Sequence, residues 1–185
     1  MKIYQVEKDV DRYESLILKD VEADWEIIYR FDGTPLATSW HPLELRICRD
    51  PDDERKYLKG DFPHTVGFGP ALVLSDRALG ILAPLLQDNG ELLPIKYPRG
   101  NYVLFNATCL ADVLNFEQSD IVYFPTGRIM TIRRYVFDAE KIPSNDVFKI
   151  AQMPLLGVFV TERFKLAVEE NDLEGLLFKP VEVVR

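Results

Sequence analysis

The sequence predicts an α+β fold, built on a mostly antiparallel sheet with three or four short helices. Three observations carry this expectation. Short runs rich in β-branched and aromatic residues outnumber the helical stretches. The connections between those runs are short and polar, which favours hairpins over the long crossovers that parallel strands need. The 185 residues, 47% hydrophobic and 28% charged, have the balance of an ordinary globular chain with room for a sizeable core.

In chain order, the first strands are Ile3–Val6 and Leu16–Leu18, and Trp25–Phe31 reads the same way from its β-branched and aromatic content. Leu43–Cys48 alternates apolar with polar residues, as a half-buried strand does. Asp50–Gly60 allows two readings. Asp50-Pro51-Asp52-Asp53-Glu54 makes a good helix start and Arg55, Lys56 and Lys59 before Gly60 a good end, yet the segment serves equally well as an exposed acidic loop. Ser39–Pro42 and Gly60–Pro70 are loop-like. The second joins an N-terminal β-rich appendage, residues 1–60, to a main unit, residues 61–185, on which the appendage packs.

Ser75 caps a helix over Asp76–Leu86, with Leu79, Leu82 and Leu86 at helical spacing. Pro84 should kink that helix or start a fresh turn. Tyr102–Phe105 is a strand, and a short helix over Thr108–Leu114 would turn Leu110, Val113 and Leu114 inward. The clearest hairpin runs from Ile121–Phe124 through Pro125-Thr126-Gly127-Arg128 into Ile129–Phe137. Strict alternation there puts Ile129, Thr131, Arg133 and Tyr135 on one face and Met130, Ile132, Arg134 and Val136 on the other. Thr161 caps a last helix, Glu162–Asn171, with Phe164, Ala167 and Val168 on one side.

Several chemistries are excluded or left without support. A membrane span needs about 20 apolar residues, and the apolar runs here are fragments such as Ala71-Leu72-Val73-Leu74. The N-terminus lacks a signal-peptide core, so the chain reads as cytoplasmic. Cys48 and Cys109 read as buried free thiols, since an isolated pair makes neither a disulfide framework nor a metal motif. With His41 and His64 they make four scattered candidate ligands, which match no zinc spacing. Ser39 near His41 does not make a catalytic pair. Gly67-Phe68-Gly69 lacks the third glycine and the helix of a phosphate loop, and reads as a bend into the next strand. Trp25 and Trp40 read as packing residues, or as interface anchors if exposed.

The formal net charge is −8, and residues 1–60, with 14 acidic against 10 basic side chains, hold half of it. Such a chain is repelled by nucleic acid and by anionic membranes, and attracts a basic partner. Asp20, Glu22, Asp24 and Glu26 would share one face of a strand, and Glu169, Glu170, Asp172 and Glu174 cluster after the last helix. These runs serve either as solvated edges or as a surface for a basic ligand.

A series of motifs carries a family resemblance. They are Asp61-Phe62-Pro63, Ala71–Ala78, Gly90-Glu91-Leu92-Leu93-Pro94-Ile95, Tyr102-Val103-Leu104-Phe105-Asn106, Leu114–Ser119, Gly127-Arg128-Ile129, Val147-Phe148-Lys149-Ile150, Val158–Phe164 and Gly175–Pro180. In order and spacing they resemble a family first described as a domain of unknown function and now classed among the immunity proteins of bacterial polymorphic toxin systems. Phe31–Leu36 and Trp40-His41-Pro42 match more loosely. The resemblance implies a cytoplasmic protein that binds a cognate toxin domain and blocks it, with no catalytic residues; no cofactor or metal is expected. Gly90, Gly127 and Gly175 would then stand at turns, and Phe148 and Phe159 in the core.

Joined to the charge, this gives an expected partner surface on Asp50, Asp52, Asp53 and Glu54, then Glu169, Glu170 and Asp172, facing a basic toxin domain. A small enzyme with a carboxylate site, or a regulatory module for another basic partner, are the alternatives.

Overall fold

The computed structural model describes residues 1–49, 52–97 and 99–185. Asp50 therefore lies outside the described residues, as does the side chain of Trp25. The strands are β1 Ile3–Lys8, β2 Ser15–Leu18, β3 Leu43–Cys48, β4 His64–Thr65, β5 Leu72–Ser75, β6 Gly90–Lys96, β7 Tyr102–Ala107, β8 Leu110–Ala111, β9 Asp120–Tyr123, β10 Ile129–Arg134, β11 Val136–Asp138, β12 Val147–Ile150, β13 Phe159–Thr161 and β14 Leu176–Val184. Among the described residues two α-helices exceed a single turn, α1 Asp76–Leu86 and α2 Glu162–Glu170.

The strands form not one sheet but several. One six-stranded sheet has the order β11-β14-β1-β13-β12-β8, a second has β4-β2-β3-β6-β7-β5, and β9 and β10 make a separate ribbon. Most pairings are antiparallel, as expected, but β11 with β14, β12 with β8, β2 with β4 and β3 with β6 run parallel. β1 lies between β13 and β14 in the first sheet, while β2 and β3 belong to the second.

Three apolar clusters explain why some strands lack alternation. One core lies between the two sheets and the helices and takes Val6, Leu72, Leu74, Phe105, Val160, Phe164 and Leu82. The far face of the second sheet buries Val73, Leu104, Leu45 and Phe31. The far face of the first buries Ile3, Phe148, Phe159 and Phe137. Strands covered on both faces read as continuous apolar runs, and β5 and β12 are of this kind. Phe148 and Phe159 are core residues, as expected.

The helix caps are as the sequence implies. The Ser75 hydroxyl accepts from Ala78 N–H at 3.1 Å and the Thr161 hydroxyl from Phe164 N–H at 3.5 Å. α1 runs through Pro84, whose exposed ring takes the place of a bond to the Gly80 carbonyl on the solvent side.

Other expectations are overturned. The sequence suggested three or four helices, and among the described residues only two α-helices exceed a single turn. Trp25–Phe31 is not a strand: Val21–Asp24 makes one helical turn and Trp25–Arg30 continues it as a 3₁₀ helix. Ile27 and Phe31, four residues apart, both pack into the core of the second sheet, and that burial sets a helical period. Asp20, Glu22, Asp24 and Glu26 therefore do not share a strand face. Thr108–Leu114 is not a helix either. Leu110–Ala111 pairs with β12, and Leu114 bridges Phe137. Between Asp52 and Gly60 the chain is extended loop, with Leu58 bridged to Tyr13. In the hairpin, register shifts between Ile129 and Thr131 and between Ile132 and Arg134 break strict alternation, so Ile129 and Ile132 pack toward the same core. Gly67 and Gly69, both at positive φ, make the bend that leads into β5.

Candidate partner interface

The two acidic clusters meet the same turn, residues 9–14. On one side the loop after β3 docks on it, with Leu58 N–H donating to Arg12 O at 2.8 Å and Glu14 N–H to Leu58 O at 2.9 Å. On the other, Asp9 N–H donates to Gly175 O at 3.1 Å. A shallow depression there is bordered by Asp9, Arg12, Tyr13, Glu169, Asp172 and Glu174. The turn thus brings Asp52–Glu54 and Glu169–Asp172 to its two flanks.

The second cluster is placed by how α2 ends. Asn171 closes the helix and Asp172 takes positive φ, 47°. Asp172 N–H bonds Glu169 O at 3.2 Å and Leu173 N–H bonds Val168 O at 3.0 Å, with Leu173 and Val168 both buried. This is a Schellman ending, with aspartate where glycine is usual. Arg77 donates to the Asn171 and Asp172 carbonyls and to Asp61, which also accepts from Ser75 Oγ at 2.6 Å and Glu174 N–H at 3.1 Å. Glu169, Glu170 and Asp172 are exposed at the negative end of the helix dipole. That position disfavours carboxylates by about 0.3–1 kcal/mol each, and the last turn holds no basic residue. Arg77, at the Asn171 and Asp172 carbonyls, and Lys165, paired with Glu169, offset part of that cost.

Within the clusters the carboxylates are unequal. Asp53 is engaged: Arg55 reaches it through Nε at 3.0 Å and Nη2 at 2.9 Å, and the Tyr57 hydroxyl at 2.5 Å. Those hydrogen bonds from Arg55 and Tyr57 hold its pKa well below the usual carboxylate range. Glu169 pairs with Lys165. Asp52, Glu54, Glu170 and Asp172 all face solvent.

Beside this loop is a pocket of about 200 Å³, bordered by Glu14, Ser15, Cys48, Arg49, Asp53 and Tyr57. Glu14 is 4% exposed. One of its oxygens takes Arg99 at 2.7 Å and the other the Tyr97 hydroxyl at 3.4 Å, with Arg49 3.8 Å away. The buried carboxylate is thus tied into an arginine network. Cys48 and Cys109 are free and only half-buried, and burial raises the Cys109 thiol pKa. Among the described residues no group of three His, Cys, Asp or Glu side chains is placed to hold a metal ion, and no helix is long and apolar enough to cross a membrane. Trp40 packs edge-on to Phe31 and donates from Nε1 to Pro94 O at 2.8 Å. His41 faces Asp24 at 3.2 Å, and Ser39 Oγ donates to Leu36 O instead of meeting His41.

Sequence reasoning missed one surface. Tyr123, Phe124 and Met130 are exposed at the end of the β9–β10 ribbon, with Phe116 near its base. Aromatic residues and methionine are enriched where proteins meet. The signal was available in the hairpin, whose turn tightens through Gly127 at φ 82°.

No curated protein matches the chain. Of the resembling motifs, Asp61–Pro63, Ala71–Ala78 and Gly90–Ile95 precede the segment that a family model matches, while Glu169, Glu170, Asp172 and the β9–β10 ribbon fall inside it. Residues 96–183, from the last residue of β6 through nearly all of β14, match the model of an immunity protein family (Imm11), and over that segment the chain is similar to that family.

Proposed function

We propose that this chain is an immunity protein that binds a cognate toxin domain and neutralises it by covering it, without catalysis. The match of residues 96–183 to the immunity family carries the reading. The exposed carboxylates about the 9–14 turn support a basic face on the toxin, which the net charge of −8 would draw in. In this reading Asp52, Glu54, Glu170 and Asp172 meet the partner, while Asp53 and Glu169 hold the surface in shape through Arg55 and Lys165. The protein acts in the cytoplasm, where it takes neither nucleic acid nor membrane as partner.

The test is a rescue. The C-terminal domain encoded by the neighbouring gene is expressed under tight control, and survivors are counted with and without this protein. Survival only in its presence is expected. A toxic domain against which it gives no protection rejects that pairing.

A second reading, a small enzyme, is favoured by one observation, the buried Glu14 in its pocket. Glu14→Gln separates the two. An enzyme that uses this carboxylate loses its effect, while an immunity protein that stays folded still protects.

A further inference from the structure

The inward face of β1 consists of Tyr4, Val6 and Lys8. Tyr4 and Val6 pack into the core between the two sheets. The third position of that face is an ammonium. Opposite it, at the rim of the second sheet, stands His64 on β4. A groove of about 240 Å³ separates them, walled by Val6, Leu72, Leu156 and Val158.

Among the described residues no carboxylate lies within ion-pair distance of Lys8 Nζ, whereas Lys2, Lys19, Lys141, Lys165 and Lys179 all have one. Glu7 borders the groove too, but it is engaged with Lys179 at 2.6 Å. Burial pulls the Lys8 pKa down to about 7. Burial, and then the neighbouring Lys8 cation, lower that of His64. Two groups able to carry positive charge therefore share a groove of mixed polar and apolar lining in which neither has an ion-pair partner among the described residues, an arrangement that costs free energy until an anion enters.

We propose that this groove binds a small monocarboxylate, its carboxylate between Lys8 and His64 and its short apolar stem against Val6, Leu72 and Leu156. One ammonium and one imidazole match a single negative charge, and Glu7 at the rim opposes a dianion. The apolar walls select a carboxylate that carries a hydrocarbon stem. Glu7, Lys8 and His64 are the titratable side chains that border the groove. Binding returns protons to Lys8 and His64, so affinity rises as the pH falls from 8 toward 6.

The chain has two histidines, which makes the test direct. Butyrate is titrated into the full chain while the two imidazole proton resonances are followed by NMR. His41 is exposed beside Asp24 and serves as the internal control. A saturable shift of His64 alone is expected, with its apparent pKa raised when butyrate is bound. Lys8→Met keeps the length of the stem and should weaken butyrate at least tenfold. In the absence of butyrate it should also raise the His64 pKa. Phosphate should bind more weakly than butyrate, and butanol not at all. Should Lys8→Met not fold, His64→Gln is titrated instead, read at the Gly69 and Gly157 amides, with the same tenfold loss expected. An unmoved His64, a variant that binds as the parent does, or phosphate binding the tighter would each overturn the proposal.

Discussion

Lys149 is fully buried on β12, in a strand whose other residues are Val147, Phe148 and Ile150. Its ammonium donates to Phe31 O at 2.7 Å and to Asn106 Oδ1 at 3.4 Å. Asn106 in turn donates to Thr34 O at 2.9 Å, and Glu91 accepts from the Leu36 and Ala37 amides at 2.6 and 3.1 Å. Lys149, Asn106 and Glu91 together hold the 31–37 loop against both sheets. Burial lowers its pKa to about 8, against an ordinary 10.5, with nearby Asp32 resisting the shift. The folded state therefore sheds this proton before the unfolded state does, and between those two values the unfolded chain binds more protons. Stability from this group rises with pH in that window, by about 1–2 kcal/mol between pH 8 and 9.5. Lys149→Met should flatten the rise, measured as the difference in unfolding free energy between parent and variant across that range. Tyr102, pushed up to about 12 mainly by burial, titrates above the window, and the shifted Lys8 and Cys109 are common to parent and variant, so they cancel in the difference. A variant whose slope equals the parent's would show that Lys149 keeps its ordinary pKa. None of this was legible in Val147-Phe148-Lys149-Ile150, because the acceptor on Phe31 lies 118 residues away in the chain.

Among the elements, those fixed by neighbours in the chain were legible and those fixed by distant partners were not. Ser75 and Thr161 announce α1 and α2 because a cap acts within three residues. Leu43–Cys48 shows its alternation because its outer positions meet water. Thr108–Leu114 was misread because its partners, β12 and Phe137, come later in the chain. Trp25–Phe31 was misread because β-branched content outweighed the four-residue interval between Ile27 and Phe31. The glycines separate in the same way. Gly127 sits in an open turn at φ 82°, where an added Cβ touches nothing, so Gly127→Ala should cost only the strain of a left-handed alanine, about 1 kcal/mol. Gly90 begins β6, opposite Ala107, and was expected at a turn. An added Cβ there would lie 2.1 Å from the Asn106 carbonyl oxygen and 2.9 Å from Ala107 Cα, both backbone atoms of β7. Gly90→Ala must therefore push two paired strands apart, and should cost several times as much, about 3 kcal/mol or more. Urea unfolding of both variants makes the comparison. Equal losses would mean that β6 and β7 adjust without strain.

At the scale of the whole molecule, the net charge of −8 was legible from the first count, but its division into engaged and available carboxylates was not. Asp53 and Glu169 look the same in sequence as Glu54 and Glu170, yet the first two are taken up by Arg55 and Lys165 and the second two face water. The distinction bears on association. Exposed charges of one sign steer an oppositely charged partner, and their effect fades as salt shortens the screening length from about 10 Å at 0.1 M toward about 3 Å at 1 M. Glu54→Lys combined with Glu170→Lys takes one residue from each flank of the 9–14 turn and changes the net charge by four units. With the toxin domain identified by rescue, this pair should slow association about tenfold at low salt and flatten its salt dependence, leaving dissociation nearly unchanged. Glu117→Lys combined with Glu140→Lys makes the same change in net charge at exposed positions away from the turn, so it measures what overall charge contributes by itself. Stopped-flow association at several salt concentrations compares the two. A much larger effect from the first pair supports a toxin surface around the 9–14 turn. Equal effects would mean that the partner responds only to the field of the whole protein. The exposed Tyr123, Phe124 and Met130 on the β9–β10 ribbon would then become the surface to mutate next, with loss of affinity read in the dissociation rate.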